Sequence, residues 1–368
     1  MATVTERTDK QVSTGQVSSK ELSFCVIIPA RNASHTLAET LDAVFRSTLQ
    51  PHKTIVVNDG SQDDTAALAM AFPCEVIHVN LGQGPMQARF AGADLADQDI
   101  LIFVDADVRV KPGTFKRILQ DFNDPEIDAV TGLLAASPKL EHDNFFTAFK
   151  NEYMNYVFQK QSSRSRFLYG SICAIRRERL IRFIPIASPF GSLVSDSELG
   201  FRLRANGRRI LLDHQLEVEH LKRYSLASLL ANDFAIPFLF SMMLWRYGWS
   251  PATAKSGRFS HASLGQAAAN ALSFAALYSW CALAAGKSWA AVAIVAPLGV
   301  FGYWFIFLIR VLRNRGKNFF LKTLFFLPLD GAVMFCGMMA GLVCGAIQSI
   351  EARWSRFLYV RKLKHSNI

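Results

Sequence analysis

The sequence predicts a Rossmann-like α/β domain with a mostly parallel sheet, followed by apolar helices that meet a membrane. Two observations predict the sheet: short apolar runs alternate with helical patterns from residue 24 onward, and the strand-like runs are nearly continuous in apolar residues. Such strands, separated by helices, are typical of a parallel sheet covered on both faces. A third observation predicts the membrane segments, because Lys287 is the only Lys, Arg, Asp or Glu between residues 259 and 309.

The first third of the chain supplies the strands of the predicted sheet. Strands are predicted at residues 24–29, 54–58, 75–79 and 100–104, and helices at 34–46, 63–71 and 85–94. Ligands of such sheets bind at the carboxyl ends of the strands. The segments 29–32, 58–61 and 105–107 follow three of these strands, so we expect them along one edge of a crevice.

The pattern becomes mixed after Gly113. We expect a helix to about residue 122, a strand at 129–134, a helix at 144–161, a strand or loop at 169–175, a loop to 195 and a helix at 197–206. The α/β domain is thus assigned to residues 23–225, after a tail at 1–22 whose polar composition predicts disorder. The remaining regions are an interfacial helix and linker at 226–258, a transmembrane region of two or three helices at 259–350, and a basic tail at 351–368.

The segment 226–245 is strongly apolar but carries Asn232, Asp233 and Pro237, so we interpret it as a helix that lies in the membrane interface. The aromatic residues Trp245, Tyr247 and Trp249 suit that depth. Segments 264–285, 289–312 and 324–347 are long enough to span a membrane. Two spans keep the α/β domain and the basic residues at 310–322 on the cytosolic side, whereas a third places the basic tail outside. The sequence leaves this choice open.

Three glycines within the last apolar segment, Gly337, Gly341 and Gly345, are spaced by four residues. This spacing predicts a ridge for close helix packing, through which two copies of the chain can also associate. The alternative interpretation is a flexible, glycine-rich span.

The net charge of +10 is concentrated beside apolar segments. One basic cluster contains Arg310, Arg313, Arg315, Lys317 and Lys322, and a second contains Arg353, Arg356, Arg361, Lys362 and Lys364. This pattern favours lipid headgroups over nucleic acid as a partner.

The six cysteines form no C-x-x-C pair, and we interpret them as reduced thiols. Together these features suit a multi-pass protein of the inner or plasma membrane with a cytosolic α/β domain.

The segment Asp105-Ala106-Asp107 is the strongest candidate for a metal-binding site. The two carboxylates leave the sheet edge together, just after an apolar strand. Such a pair can hold a hard divalent cation through oxygen ligands, with a diphosphate completing the shell. The cation would neutralise charge on a departing nucleoside diphosphate. The same spacing also occurs in solvated turns, and the position after the strand is what favours a metal site.

The turn Asn58-Asp59-Gly60-Ser61 follows the second strand. Gly60 permits a tight turn, and Asp59 can accept a hydrogen bond from a nucleotide base; the alternative is a plain Asp-Gly turn that caps the next helix.

Gly82 and Gly84 precede a helix that carries Arg89. The backbone amides of this turn and the Arg89 guanidinium can meet a diphosphate. An ordinary surface charge at Arg89 is equally consistent with the sequence.

Together these segments resemble family 2 glycosyltransferases. The resemblance rests on Val-Ile-Ile-Pro-Ala-Arg-Asn at 26–32, Val-Asn-Asp-Gly-Ser-x-Asp-x-Thr at 57–65, the 84–92 stretch, and the Asp-Ala-Asp at 105–107, in that family's order over about residues 24–225. It implies a GT-A fold, a nucleotide-sugar donor, Mg2+ or Mn2+, and inversion at the anomeric carbon. It also implies a donor-binding set of Pro29, Ala30, Arg31, Asn32, Asp59, Gly60, Arg89 and Asp105, with Asp105 and Asp107 at the metal.

Residues 195–203 are similar to a later motif of the family, in which an acidic pair opens a helix. Asp196 matches the catalytic base, and Ser195 stands where the family has Glu. One carboxylate suffices to take a proton from an acceptor hydroxyl, although a carboxylate at a helix start is also an ordinary cap. A phosphate acceptor is already ionised, and Asp196 would then orient it or balance charge.

Residues 220–224 resemble a degenerate form of the Gln-x-x-Arg-Trp motif of membrane-bound members. His220 replaces Gln and is a candidate metal ligand, Arg223 can pair with phosphates, and Tyr224 replaces Trp and can stack near the acceptor. Gly170 and Ser171 lie where the family places a loop on the acceptor side. The departures from the motif argue against processive polymerisation.

The sequence therefore predicts an inverting, metal-dependent glycosyltransferase that acts on a membrane lipid at the cytosolic face. A polyprenyl phosphate acceptor fits the basic clusters, and a hydroxyl-headgroup lipid fits Asp196 as base. Two alternatives stay open: a transferase that extends a polysaccharide, and a non-catalytic scaffold that binds nucleotide-sugars. The scaffold is considered because Ser195 replaces the Glu of the family's acidic pair. A dinucleotide oxidoreductase is disfavoured, because no Gly-x-Gly-x-x-Gly turn follows the first strand.

Overall fold

The computed structural model describes residues 22–79, 84–137, 144–180, 192–247, 258–259, 262–286 and 288–365. Within these ranges the chain forms an α/β domain and a set of long apolar helices. Nearly all of the predicted disordered tail lies outside the described residues, as do Gly82, Trp249 and residues 181–191 of the predicted loop.

Nine strands form the sheet of the α/β domain within the described part of the chain. They are β1 (Phe24–Ala30), β2 (Lys53–Asp59), β3 (Glu75–Val79), β4 (Ile100–Val104), β5 (Val108–Arg109), β6 (Ala129–Leu134), β7 (Arg164–Ser165), β8 (Ile172–Arg176) and β9 (Ile210–His220). Their order is β3-β2-β1-β4-β8-β6-β9-β5, with β7 paired to β9. The predicted parallel arrangement is confirmed for β1 to β4. The second half is mixed, because β8 runs antiparallel to β4 and β6 while β6 and β9 are parallel.

Helices cover both faces of the sheet. They are α1 (Leu37–Phe45), α2 (Thr65–Met70), α3 (Pro85–Asp94), α4 (Thr114–Asp121), α5 (Phe145–Gln159), α6 (Arg177–Leu180) and α7 (Ser195–Ala205). Successive side chains of a strand point to opposite faces. Val26 and Ile28 of β1 therefore belong to the core beneath α1 and α4, while Cys25 and Ile27 belong to the core beneath α3 and α7.

Gly92 lets α3 approach the sheet closely. A Cβ at this position would lie 2.6 Å from Cγ2 of Ile27 and 3.0 Å from Cγ2 of Val57, so any larger residue would push the helix away. The close approach matters because Arg89, one turn earlier on α3, reaches across to Asp105 after β4.

The sequence did not predict β9, the strand that leads to His220. Its apolar residues alternate with charged ones, and two of those, Glu217 and Glu219, pair with Lys111 and Arg109. A second difference concerns α7, which was predicted to begin at residue 197 and begins at Ser195. This shift places Asp196 in the first turn of the helix.

Four helices follow the α/β domain: α8 (Leu226–Tyr247), α9 (Leu264–Ala284), α10 (Ala290–Arg315) and α11 (Lys317–His365). A two-stranded ladder of Arg258–Phe259 with Ala262–Ser263 precedes α9. Four stretches of these helices are long and apolar enough to cross a membrane: Leu226–Trp245, Leu264–Ala284, Ala290–Arg315 and Lys317–Ile350. The last three correspond to the predicted spans, and α11 continues as a helix into the predicted basic tail.

Both ends of α8 contact the α/β domain. Leu229 near its start belongs to the same buried cluster as Phe149 of α5. At its other end, the Tyr247 hydroxyl bonds to Glu198 of α7, and the Tyr247 ring stacks on Phe201 with centroids 6.1 Å apart. A helix held at both ends by one domain runs along that domain. Because the stretch Leu226–Trp245 is also long and apolar enough to cross a membrane, the interfacial placement of α8 stays a prediction.

The predicted glycine ridge packs against α8 of the same chain. Cβ atoms at Gly337 and Gly341 would lie 2.2 and 2.1 Å from the carbonyl oxygens of Phe234 and Phe238. The predicted close helix packing is thus confirmed. Because α8 of the same chain packs on Gly337 and Gly341, the association of two copies through this ridge stays a prediction.

The α9–α10 pair is anchored on α5 by buried polar contacts. Glu152 is fully buried and lies 3.4 Å from Arg310 and 3.2 Å from Arg315, while Gln266 of α9 donates to the Tyr153 hydroxyl at 2.6 Å. The prediction that the first basic cluster faces lipid headgroups is therefore wrong for Arg310 and Arg315, which fasten α10 to the α/β domain.

Candidate active site

Two cavities meet at the carboxyl end of β4. The first, here called the outer cleft, has a volume of about 1150 Å³ and lies between the loop after β1 and the residues after β9. The second, here called the inner cavity, has a volume of about 460 Å³ and is lined by residues of the α/β domain and of α8, α9 and α11. Asp105 and Asp107 line both. Asp105 and Asp107, here called the D-x-D pair, therefore lie where the polar outer cleft joins the inner cavity between the apolar helices.

Asp105 is held from behind by Arg89. The Arg89 side chain is only 3% exposed, and its Nη2 donates to Oδ1 of Asp105 and, at 3.0 Å, to the Gly170 carbonyl. The N–H of Asp105 donates to the Ser171 carbonyl at 3.3 Å. A buried guanidinium needs such partners. Arg89 thus binds Asp105 and the loop before β8. The sequence had instead predicted that its guanidinium contacts a diphosphate.

Asp107 faces His220 across the ladder of β5 and β9. The ladder pairs Val108 with His220, and Nε2 of His220 lies 3.3 Å from Oδ2 of Asp107. The N–H of Leu221 donates to the Asp107 carbonyl at 2.8 Å. Burial raises the pKa of Asp107, but the interaction with His220 and then with Lys222 outweighs burial and leaves this pKa below its ordinary value. Asp107 is therefore ionised at neutral pH.

Asp196 points from the first turn of α7 toward the loop before β8. Its Oδ2 accepts from the N–H of Gly170 and its Oδ1 from the N–H of Ser197, each at 2.6 Å. Burial raises the pKa of Asp196 above its ordinary value, and Arg89 together with the two backbone donors opposes this only in part. A carboxylate with a raised pKa is a better proton acceptor than an exposed aspartate.

The loops after β1 and β2 are tied together at the rim of the outer cleft. Asn32, at φ +50°, donates its N–H to Oγ of Ser61 at 3.0 Å and accepts at Oδ1 from the N–H of Gln62 at 2.8 Å. Gly60 has φ +68°, as the tight turn requires. Of the predicted donor-binding residues, Pro29, Arg31, Asn32 and Asp105 line the cleft, whereas Ala30, Asp59 and Gly60 are not among the described residues that line it.

The residues after β9 complete both cavities. Lys222 and Arg223 are exposed and line the outer cleft, and Lys222 also lines the inner cavity. The Lys222 ammonium lies 5.1 Å from the ring centroid of Tyr224, a cation–π distance. Tyr224 is buried, and its N–H donates to Oγ1 of Thr147 at 2.8 Å. Tyr224 thus supports Lys222 and forms a wall of the inner cavity.

The residues around the D-x-D pair suit a divalent cation that shares its ligands with a diphosphate. Among the described residues, no three His, Cys, Asp or Glu side chains form a ready-made metal site. Asp105, Asp107 and His220 nevertheless line one cavity, and only one oxygen of Asp105 is taken by Arg89. Hard cations prefer carboxylate oxygens and accept phosphate oxygens and water for the remainder.

The structure brings most predicted site residues to this one place. Arg89, Asp105, Asp107, Gly170, Ser171, Asp196, His220 and Tyr224 line the inner cavity, and Arg223 lines the outer cleft. The sequence missed Lys222 and Lys150, which also line the inner cavity.

Part of the first half of the chain is similar to known proteins. Residues 25–183 match the model of a family described as Glycosyl transferase family 2. The chain is 26% identical over 194 residues to an undecaprenyl-phosphate 4-deoxy-4-formamido-L-arabinose transferase of Serratia proteamaculans, covering 47% of this chain and 58% of that protein. It is 30% identical over 147 residues to a 4,4'-diaponeurosporenoate glycosyltransferase of Staphylococcus aureus, covering 36% and 38%. The match thus spans less than two thirds of the length of either relative, 58% and 38%.

A solved structure supports the architecture. The chain superposes on a mannosyltransferase from Pyrobaculum calidifontis, in complex with GDP-Man and Mn2+, with a TM-score of 0.50, covering 90% of this chain and 88% of that chain at 15% identity. At this identity the likeness concerns the fold alone, and it confirms the predicted GT-A fold followed by apolar helices.

Proposed function

We propose that this chain, whose residues 25–183 match the model of Glycosyl transferase family 2, transfers a sugar from a nucleoside-diphosphate sugar to a membrane lipid, with inversion at the anomeric carbon. The observation that carries the proposal is the junction of two cavities at Asp105 and Asp107. One cavity is a polar cleft at the sheet edge, where nucleotides bind in such folds. The other continues between helices that are apolar enough for a membrane.

The outer cleft is the proposed donor site. Pro29, Arg31 and Asn32 line it from the sheet side, and Lys222 and Arg223 line it from the opposite side. Cations placed where negative charge develops stabilise a transition state. Lys222 and Arg223 therefore suit the diphosphate, whose charge grows as the bond to the sugar breaks. Asp105 and Asp107, with His220, would hold Mg2+ or Mn2+, which supplies the remaining charge neutralisation.

The inner cavity is the proposed acceptor site. Ile236 and Phe240 of α8 and Met334 and Met338 of α11 line its apolar part. A lipid could thus present its polar end to the site while its chain stays among the helices. The name of the Serratia relative, which specifies a lipid phosphate, supports a lipid acceptor in general terms.

Asp196 is the proposed catalytic base. It lines the inner cavity together with Asp105, and its raised pKa suits a group that takes a proton from an acceptor hydroxyl. The acceptor oxygen then forms a bond to the anomeric carbon, and the bond from that carbon to the diphosphate breaks. Attack from the side opposite the leaving group inverts the configuration.

We place the α/β domain on the cytosolic side of the membrane. Arg310 and Arg315 end α10 beside this domain, and Lys317 and Lys322 begin α11 there. Basic residues at membrane helix ends are enriched on the cytosolic side. Nucleoside-diphosphate sugars would then reach the outer cleft directly from the cytosol.

Donor turnover and lipid labelling test the proposed function. The full chain is purified in detergent and mixed with native lipid extract and radiolabelled UDP- or GDP-sugars, with Mg2+, Mn2+ or chelator. We expect label in the organic phase, lost with chelator. Label that enters only a water-soluble polymer would instead indicate a polysaccharide transferase. Donor binding without hydrolysis or transfer, by folded protein, would indicate a scaffold.

A further inference from the structure

The apolar part of the inner cavity is a track between two helices that run side by side. Gly337 and Gly341 of α11 pack on the carbonyl oxygens of Phe234 and Phe238 of α8, so the two helices run in the same direction. Each helix contributes a row of apolar side chains spaced by four residues: Ile236, Phe240 and Leu244, and Met334, Met338 and Leu342. Each row covers two helical turns, roughly 12 Å. A hydrocarbon chain laid along the track thus has apolar side chains on two sides.

Helix α9 lines a third side of the cavity through Leu264, Ala267 and Asn270. It packs closely on α11, because a Cβ at Gly331 of α11 would lie 2.5 Å from Oγ of Ser273. Within the described ranges, α8 and α9 each pack along α11 but not along each other. The cavity therefore lies in front of α11, at a gap between α8 and α9.

Two leucines of the cavity lining are largely exposed. Leu193 is 50% exposed and Leu264 is 64% exposed. A side chain can line a cavity and also face the outside only where the cavity opens. Leu193 precedes Val194, which packs with Phe240 of α8, and Leu264 begins α9. These two leucines define an opening, here called the apolar mouth, with one leucine on the α8 side and one on the α9 side.

The inner cavity also opens at its polar end. Lys222 is exposed and lines both cavities, as do Asp105 and Asp107, so this opening leads to the outer cleft. The apolar mouth differs in chemistry, because its leucines adjoin helices that are apolar enough to cross a membrane. Exposed leucines beside a cavity favour contact with lipid chains over contact with water. The two openings thus suit different molecules, the polar one a nucleotide-sugar and the apolar one a lipid.

We infer that the acceptor lipid binds with its hydrocarbon chain passing out of the apolar mouth, between Leu193 and Leu264, into the bilayer. The inner cavity then holds the polar end beside Asp196 together with the first part of the chain, and the rest of the chain stays in the membrane. The inference rests on the proposed function and adds the route by which the acceptor enters and the product leaves. Leu193 and Leu264 therefore recognise the chain and not the reacting headgroup.

A comparison of long and short acceptors tests this route with the full chain in lipid nanodiscs. The acceptors are a polyprenyl phosphate, a ceramide and a diacylglycerol, each as a long-chain lipid and as a water-soluble short-chain analogue, and the one that takes label is used. Leu264→Trp adds bulk at the apolar mouth. We expect kcat/KM for the long-chain form to fall about tenfold, the effect of displacing one to two methylene groups. The short-chain form can reach Asp196 through the polar opening and should keep its kcat/KM.

The matched control is Leu298→Trp. Leu298 of α10 is 65% exposed and is not among the described residues that line the inner cavity, so this variant should keep the ratio of long-chain to short-chain kcat/KM. Leu264→Met retains an apolar side chain of similar size and should keep the ratio as well. Leu193→Trp, on the other side of the mouth, should lower the ratio, and it replaces Leu264→Trp if that variant does not fold.

The ratio separates a route for the chain from a general loss of activity. A ratio that stays unchanged in folded Leu264→Trp and Leu193→Trp, or that falls equally in Leu298→Trp, would overturn the inference and leave the proposed function intact. Label in none of the lipids would defeat the proposed function and the inference together.

Discussion

The backbone N–H of Gly170 donates a 2.6 Å hydrogen bond to Oδ2 of Asp196. The carbonyl of Gly170 accepts from Arg89, which in turn holds Asp105. A Cβ at Gly170 would lie 2.8 Å from Nη2 of Arg89 and 3.1 Å from Oδ2 of Asp196. One glycine thus joins the proposed base to the proposed metal-binding pair, and any side chain there would push them apart.

Replacement of Asp196 tests its proposed role as base. Asp196→Asn keeps the shape and an oxygen for the Gly170 N–H, but it cannot take a proton. We expect kcat for a hydroxyl acceptor to fall by about 10²–10³-fold, and transfer to a phosphate acceptor to fall much less, because a phosphate is already ionised. The exposed Asp94→Asn on α3 is the control and should behave as the unchanged protein. Equally severe losses with both acceptor types would contradict the role.

The raised pKa of Asp196 gives a second, independent prediction. A base works only when deprotonated, so activity is present above its pKa and is lost as pH falls through it. Because burial raises this pKa, the acid limb of kcat/KM against pH should lie above the ordinary aspartate value of about 3.9. The measurement is the pH dependence of transfer to a hydroxyl lipid between pH 4 and 8. Full activity down to pH 4 would contradict the prediction.

Asp107→Asn tests the proposed metal site. The amide loses the charge that a divalent cation and His220 both face, so we expect metal-dependent turnover to be nearly abolished while expression and membrane insertion stay intact. Turnover is measured against Mg2+ and Mn2+ concentration. The control is Asp64→Asn, an exposed carboxylate before α2. Turnover by Asp107→Asn that equals the control would remove the metal assignment.

Local patterns were enough to predict the start of the fold and the core of the site. The apolar runs of β1 to β4 predict the strands of a parallel sheet, and Asp105 directly follows β4, with Asp107 in the turn after it. Asp196 was predicted from the resemblance of residues 195–203 to the family's motif in which an acidic pair opens a helix. In each case the signal lies within a few consecutive residues, where strand and helix periodicity can be read.

Features built from distant residues could not be predicted this way. The commitment of Arg89 to Asp105 depends on how closely Gly92 lets α3 approach β1. The pairing of Lys150 with Asp233 joins residues 83 positions apart. Charge clusters were also interpreted incorrectly. The sequence predicts that Arg310 and Arg315 face lipid headgroups, whereas both pair with Glu152 of α5. Long-range partners are set by tertiary packing, and one sequence carries no local mark of them.

That partner, Glu152, gives a stability prediction. Glu152→Gln removes a fully buried carboxylate that lies within 3.4 Å of Arg310 and Arg315, and leaves the two arginines without their countercharge. Breaking a buried ion pair on one side costs about 3 kcal/mol. We expect a lower midpoint of thermal unfolding in detergent. Glu178→Gln, at a side chain that is 67% exposed, is the matched control and should leave the midpoint unchanged. Equal midpoints for the two variants would contradict an anchoring role for Glu152.

The packing of α11 on α8 gives a final prediction, because α8 forms one wall of the inner cavity. The Cβ of Gly341→Ala would lie 2.1 Å from the carbonyl oxygen of Phe238, and backbone cannot give way as a side chain does, so α8 must shift. We expect the shift to move Phe240 and to raise KM for the lipid acceptor, with little change in KM for the donor. Gly302→Ala on α10 meets nothing within 4 Å and is the control, whose helix should be equally or slightly more stable. An unchanged acceptor KM in Gly341→Ala would mean that α8 does not shape the acceptor site.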